Sequence, residues 1–144
     1  MNVFADSSVV VKLYADEPGH MAIRQLGVLV VSCLARVEVP GAFWRKHRRG
    51  ELRAEHAEML TAAFEGDYYG YEHAPARFVV VGIVPELLDD AARLTGVHGL
   101  RAYDAVQLAS ARAARTVDPS CEGFACADRA LRAAAAAERF RLAG

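Results

Sequence analysis

Three cysteines are all that this chain of 144 residues contains. Cys33, Cys121 and Cys126 form neither a CxxC pair nor an even set, so a disulfide framework is excluded. Free thiols fit a reducing compartment. A basic excess is also missing, because 17 Lys and Arg stand against 18 Asp and Glu, for a net charge of −1. Global charge therefore announces no polyanionic partner, which must be held by a local patch or through bridging metal ions. No apolar run approaches the roughly 20 residues that span a bilayer. The start, MNVFADSSVV, lacks the basic n-region and long apolar h-region of a signal peptide. A cytoplasmic protein with no membrane partner is expected. Repeats and low-complexity tracts are absent too, apart from the alanine run 133–137, which is strong helix former rather than linker.

What remains is an ordinary globular composition, 53% hydrophobic and 24% charged. The length favours one domain over 1–144, large enough to bury roughly 70% of the surface its unfolded chain exposes. Apolar runs at Asn2 to Ala5, Val28 to Val31, Phe78 to Val81 and Phe124 to Cys126 read as strands. The second and third fit strands buried on both faces. Helices are expected over residues 7–15, 20–26, 33–49, 51–65, 85–95, 100–115 and 129–138. Ser32 is the candidate N-cap and Gly50 the stop of the third. The fourth should turn Leu52, Met59, Ala63 and Phe64 toward one face. Residues 67–75 read as loop, Gly96 and Gly99 bracket a turn, and Phe140 to Leu142 is a candidate edge strand. Alternating strands and helices predict a mainly parallel sheet of four to five strands with helices on both faces. In such folds ligands bind beyond the carboxyl ends of the strands, near the switch in strand order.

Two of the apolar runs end alike, Asn2-Val3-Phe4-Ala5-Asp6 and Phe124-Ala125-Cys126-Ala127-Asp128. In a parallel sheet both acids fall on the binding edge. Each also precedes a helix, so N-capping explains either one nearly as well. Glu38 has Leu34, Gly41 and Ala42 as helical neighbours and faces the core side, unless it reaches solvent or pairs with Arg45. Asp104 lies in the first turn of its helix, where the dipole favours an acid, but its face continues through the apolar Leu108 and Ala111. Four close carboxylates without a cation would repel one another and take up protons. An all-carboxylate set, with no His or Cys at ligand spacing, suits Mg²⁺ or Mn²⁺ rather than Zn²⁺.

These residues resemble the PIN-domain family, and within it VapC-type toxins of bacterial type II toxin–antitoxin pairs. The resemblance lies in Asp6-Ser7-Ser8-Val9-Val10-Val11-Lys12 with Asp16-Glu17-Pro18-Gly19, then Arg36-Val37-Glu38, residues 101–109 (RAYDAVQLA) and Ala127-Asp128-Arg129-Ala130-Leu131. The matches occur in family order and span nearly the whole chain. The resemblance implies a three-layer α/β/α sandwich and Mg²⁺-dependent endoribonuclease activity, with Mn²⁺ as a substitute. It also implies a homodimer and a cognate antitoxin that occludes the site. By position, Asp6, Glu38, Asp104 and Asp128 would be the catalytic acids and metal ligands, Asp6 and Asp104 the principal ones. Ser8 would orient Asp6 or a water. Cleavage would run by in-line attack of a metal-activated water, leaving a 5′-phosphate. Cys126 stands where many relatives have Thr, and Gln107 where His is common.

Arg45, Lys46, Arg48, Arg49 and Arg53 surround the end of the helix carrying Glu38 and are candidates for RNA phosphate contacts. A solvated helix C-terminus accounts for them equally. Pro40 inside that helix either kinks it or marks a later start. Phe43 and Trp44 are core candidates, with a dimer or antitoxin surface as the alternative. An aspartyl-phosphate phosphatase would need a second acid two residues after Asp6, and Ser8 occupies that place. The remaining rivals are a non-catalytic RNA-binding or protein-interaction scaffold and a DNA-directed nuclease of related fold.

Overall fold

Short β-branched runs alternate with helices, and the computed structural model describes residues 1–144 of this alternation. β1 (Asn2–Ala5) leads into α1 (Ser7–Val11), and α2 (His20–Arg24) precedes β2 (Leu29–Ser32). α3 (Ala35–Arg48) and α4 (Ala54–Tyr69) follow, then β3 (Phe78–Val81), α5 (Pro85–His98) and α6 (Ala102–Val117). The chain closes with β4 (Cys121–Ala125), α7 (Arg129–Ala137) and β5 (Arg141–Leu142). One sheet results, in the order β3-β2-β1-β4-β5, with every pairing parallel. The chain steps outward from β1 to β3 and then returns to lay β4 on the other flank of β1. The switch in strand order therefore falls between β1 and β4, where a ligand crevice is expected.

Side chains alternate across the strands and feed two separate cores. Val3, Ala5, Leu29 and Val31 pack with α1, α3 and α4 on one face. Phe4, Val30 and Phe124 pack with α5, α6 and α7 on the other. Burial on both faces explains why these strands read as continuous apolar runs. The expected three-layer α/β/α sandwich is what forms. Phe4 and Phe124 are in register and stack at 5.4 Å, so the β1–β4 seam is tightly held. Gly123 lies opposite Val3, and a Cβ there would stand 2.8 Å from Val3 Cγ2. Gly123→Ala should cost about 1–3 kcal/mol of stability by overpacking this seam. Denaturant unfolding reads it, and an unchanged midpoint would mean that β1 yields freely.

Several boundaries differ from expectation for local reasons. The first helix stops at Val11, and residues 12–15 continue as turn, with the Ala15 amide still bonded to Val11 O at 2.9 Å. Ser32 does not cap α3. It ends β2, and its Oγ accepts from the Leu34 amide at 3.2 Å, just before α3 begins. Gly50 takes φ +77°, so the chain turns and α4 starts at Ala54 rather than 51. That helix runs on to Tyr69, into the stretch expected as loop. Its buried residues are Ala57 and Phe64, while Met59 and Ala63 point to solvent. β3 is an edge strand rather than a buried one, which leaves Val79 53% exposed. α5 passes through Gly96 and stops only at Gly99, at φ +65°. α6 is shifted two residues later than expected, and β4 covers Cys121–Ala125 rather than 124–126. α3 continues through Pro40, whose missing amide leaves the Arg36 carbonyl without its helical donor. Phe43 is fully buried, whereas Trp44 is only partly so.

Candidate functional site

Two acids mark the switch point. Asp6 follows β1 and caps α1, its Oδ1 accepting from the Val9 amide at 3.1 Å and from Ser8 Oγ at 2.7 Å. Asp128 follows β4 and caps α7, its Oδ1 accepting from the Leu131 amide at 2.9 Å. Capping and cleft placement are therefore not alternatives here. The cap engages Oδ1, fixes the carboxylate plane, and leaves Oδ2 of each aspartate without a protein hydrogen bond. Asp6 is buried and Asp128 exposed, so the pair lines the crevice from floor to rim.

The other two acids arrive on helices from opposite layers. Glu38 lies in the first turn of α3, which packs against α1. Asp104 lies in the first turn of α6, on the other face of the sheet. Glu38 Oε1 accepts from Ser7 Oγ at 2.9 Å and from Gln107 Nε2 at 2.9 Å. Gln107 Nε2 also approaches Ser7 Oγ at 3.4 Å. The alternative pairing of Glu38 with Arg45 does not form.

Asp6, Glu38, Asp104 and Asp128 all line one cleft of about 460 Å³, together with Ser7, Ser8 and Gln107. None of the four is in a salt bridge, although nine other acids of the chain are. The cleft therefore gathers four acids that no salt bridge ties up, with Arg45 the one basic side chain lining it. Burial pushes the Asp6 carboxyl up to about 6, against the hydrogen bonds from Ser8 and Val9, with Asp104 and Glu38 adding to the rise. Burial also raises Asp104, and the neighbouring Asp128 raises it further. The Cys126 thiol is held up at about 12, chiefly by burial and then by Asp6, so it stays neutral.

The donor chemistry fits a hard divalent cation, since it consists of unpaired carboxylate oxygens and hydroxyls. In the conformation described, no three acidic, His or Cys side chains are gathered closely enough to ligate one point. Drawing them closer would cost charge repulsion that a bound cation would offset.

The basic candidates divide. Arg45 lines the cleft. Lys46 is 20% exposed and bonds Glu17 at 2.7 Å, so it ties α3 to the turn after α1 and is not available to a phosphate. Arg48 and Arg49 are exposed, and Arg53 is 90% exposed, but none of the three lines the cleft. Arg45→Ala should flatten the salt dependence of RNA binding by about 0.7 in log–log slope, the amount for one phosphate contact on a single strand. Lys46→Ala should leave that slope unchanged. Anisotropy titrations from low to high salt distinguish the two.

Sequence reasoning missed Ser7 and took Gln107 only as a departure. The signal was present, because Gln107 is a polar residue one turn from Asp104 on the apolar face of α6.

Fold and cleft together define a three-layer α/β/α domain with an acidic crevice at its switch point. The PIN domain family model matches residues 3–117, and the chain belongs to the PIN-domain family. PIN domains are generally nucleases. The matched stretch contains Asp6, Glu38 and Asp104, while Asp128 joins them through the fold. No curated protein matches the sequence. Among solved structures, the chain is similar to FitAcB from Neisseria gonorrhoeae, with a TM-score of 0.62 at 15% identity, over 99% of this chain and 96% of that one. It is also similar to PAE2754 from Pyrobaculum aerophilum, with a TM-score of 0.55 at 21% identity, over 93% of this chain and 79% of that one. At these identities the likeness is one of fold. No helix is long and apolar enough to cross a membrane.

Proposed function

We propose that this protein is a Mg²⁺-dependent endoribonuclease and the toxin of a VapC-type toxin–antitoxin pair, acting in the cytoplasm. One observation carries the reading: four carboxylates from four separate elements, none of them in a salt bridge, line a single cleft at the carboxyl ends of parallel strands. Asp6 and Asp104 would be the principal holders of Mg²⁺ or Mn²⁺, with Glu38 and Asp128 completing the set. A bound cation would supply Lewis-acid polarisation of a phosphate oxygen and lower the pKa of a coordinated water.

The chain's own groups do the rest. Ser8 holds Asp6 in one orientation through Oδ1. Arg45 at the cleft wall offers a guanidinium to a flanking phosphate. Glu38 and Asp128 line the same cleft and would hold the cation directly or through water.

Val37 on α3 is 74% and Tyr69 on α4 67% exposed, with Arg36 over the Tyr69 ring, which makes a mixed surface that a protein partner could cover. This surface and the VapC-type resemblance support an antitoxin partner and a homodimer as part of the proposal.

The test is incubation with single-stranded RNA and with DNA, with Mg²⁺, with Mn²⁺ and with chelator. The proposal expects cleavage of RNA that chelator abolishes and fragments ending in a 5′-phosphate. A 2′,3′-cyclic phosphate end would overturn the mechanism. Cleavage of DNA alone, or RNA binding without cleavage, would overturn the ribonuclease assignment.

A further inference from the structure

Glu38 is the only cleft acid held by neutral side chains from two other elements. Ser7 comes from α1 and Gln107 from α6, and the two meet α3 across the sheet edge. The hydrogen-bond ring closes in one sense only. Ser7 Oγ spends its single proton on Glu38 and accepts from Gln107, whose Nε2 uses its two protons on Glu38 and Ser7. The reverse amide orientation would press a carbonyl against an ionised carboxylate. Both bonds from this ring fall on Oε1, so Oε2 carries no protein hydrogen bond.

Gln107 is 4% exposed, and its own Oε1 is buried without any partner. A side chain chosen only to fill this position would be apolar, like Leu108 and Ala111 on the same helix, and would bury no orphaned carbonyl. The amide therefore has a task that packing does not explain. Its donors are neutral, so they fix Glu38 without cancelling its charge.

We propose that Gln107, with Ser7, is a positioning residue that locks Glu38 with Oε1 clamped and Oε2 presented to a divalent cation. The inference rests on the nuclease reading above. It goes further by assigning metal affinity to an amide that would not itself touch the metal.

The test is Mn²⁺ binding to the purified protein, followed by the electron paramagnetic resonance of free Mn²⁺, for the wild type, Gln107→Leu, Gln107→His and Ser7→Ala. Gln107→Leu should bind Mn²⁺ about ten-fold more weakly, as removal of an outer-shell partner does, and regain its kcat at saturating Mn²⁺. Its metal-free melting temperature should fall only slightly, because the orphaned carbonyl goes together with the two hydrogen bonds. Gln107→His keeps an N–H donor and should stay within about three-fold of the wild type. A folded Gln107→Leu with unchanged Mn²⁺ affinity would overturn the proposal while leaving the nuclease reading intact. Should that variant not fold, Ser7→Ala carries the same test, and unchanged affinity there overturns it equally. A wild type that binds no Mn²⁺ would overturn the nuclease reading and this inference with it.

Discussion

Asp6→Asn is expected to lower RNA cleavage by about 10³-fold or more. The acid sits at the switch point between β1 and β4, where its unbonded Oδ2 belongs to the cleft. If Asp6 is a principal ligand, as we propose, its loss would remove several kcal/mol of charge stabilisation from the transition state, and each ~1.4 kcal/mol is a factor of ten in rate. The asparagine retains a side-chain oxygen for the Val9 amide and Ser8 Oγ, so the cap on α1 survives. Structure and activity are thereby separated in one substitution. Steady-state cleavage of a labelled RNA at saturating Mg²⁺ reads the effect. A loss below ten-fold, with normal far-UV circular dichroism, would remove Asp6 from the chemistry.

The second large effect is on stability, and its sign is opposite. The Asp6 carboxyl rises from an ordinary value of 3.8 to about 6 on folding. The folded state thus binds this proton more tightly than the unfolded one. Stability from this group is complete below about pH 4 and is lost as pH rises through 6. At about 1.4 kcal/mol per unit, the loss by pH 8 is about 3 kcal/mol. With only 7% of the residue exposed, solvent screening does little to reduce it. Asp104 shifts in the same direction and adds to the trend. Asp90 and Asp118 are lowered and act only below their ordinary range, so they are silent between pH 5 and 8.

Metal-free protein should therefore melt several degrees lower at pH 8 than at pH 5. Asp6→Asn should flatten that difference and be the more stable protein at pH 8. Millimolar Mn²⁺ should reverse the loss in the wild type, by about 2.7 kcal/mol at one hundred times its Kd. A melting temperature that is flat with pH and indifferent to Mn²⁺ would mean that the cleft acids are dispersed or already compensated.

Much of this was legible in the sequence because it was written locally. Strands buried on both faces appear as unbroken apolar runs, and two of them end in Asp at the edge where α/β sheets bind ligands. The exposed Val79 could not be foreseen from Phe78-Val79-Val80-Val81, because strand order depends on the whole chain. The late start of α4 depends on Gly50 taking a left-handed turn, which the residues that follow do not announce. α5 passed the expected stop at Gly96 because a glycine with open space around it does not end a helix unless the backbone turns left-handed, as it does at Gly99.

The same division holds at the cleft. Each aspartate was visible at its own strand or helix end. Its neighbours were not. Gln107 meets Glu38 across 69 positions of the chain and Ser7 across 100. Lys46 looked free within its basic run until Glu17 arrived from the turn after α1. Such meetings come from topology, and no local pattern encodes them.

An anomalous-difference map from crystals soaked in millimolar MnCl₂ tests most directly whether the four carboxylates hold a cation. A peak is expected in the cleft at coordination distance, about 2.0–2.3 Å, from carboxylate oxygens of Asp6 and Asp104. Glu38 and Asp128 should be drawn toward it, directly or through water. A cleft without a peak at that concentration, or Mn²⁺ bound only elsewhere on the surface, would contradict a metal site there.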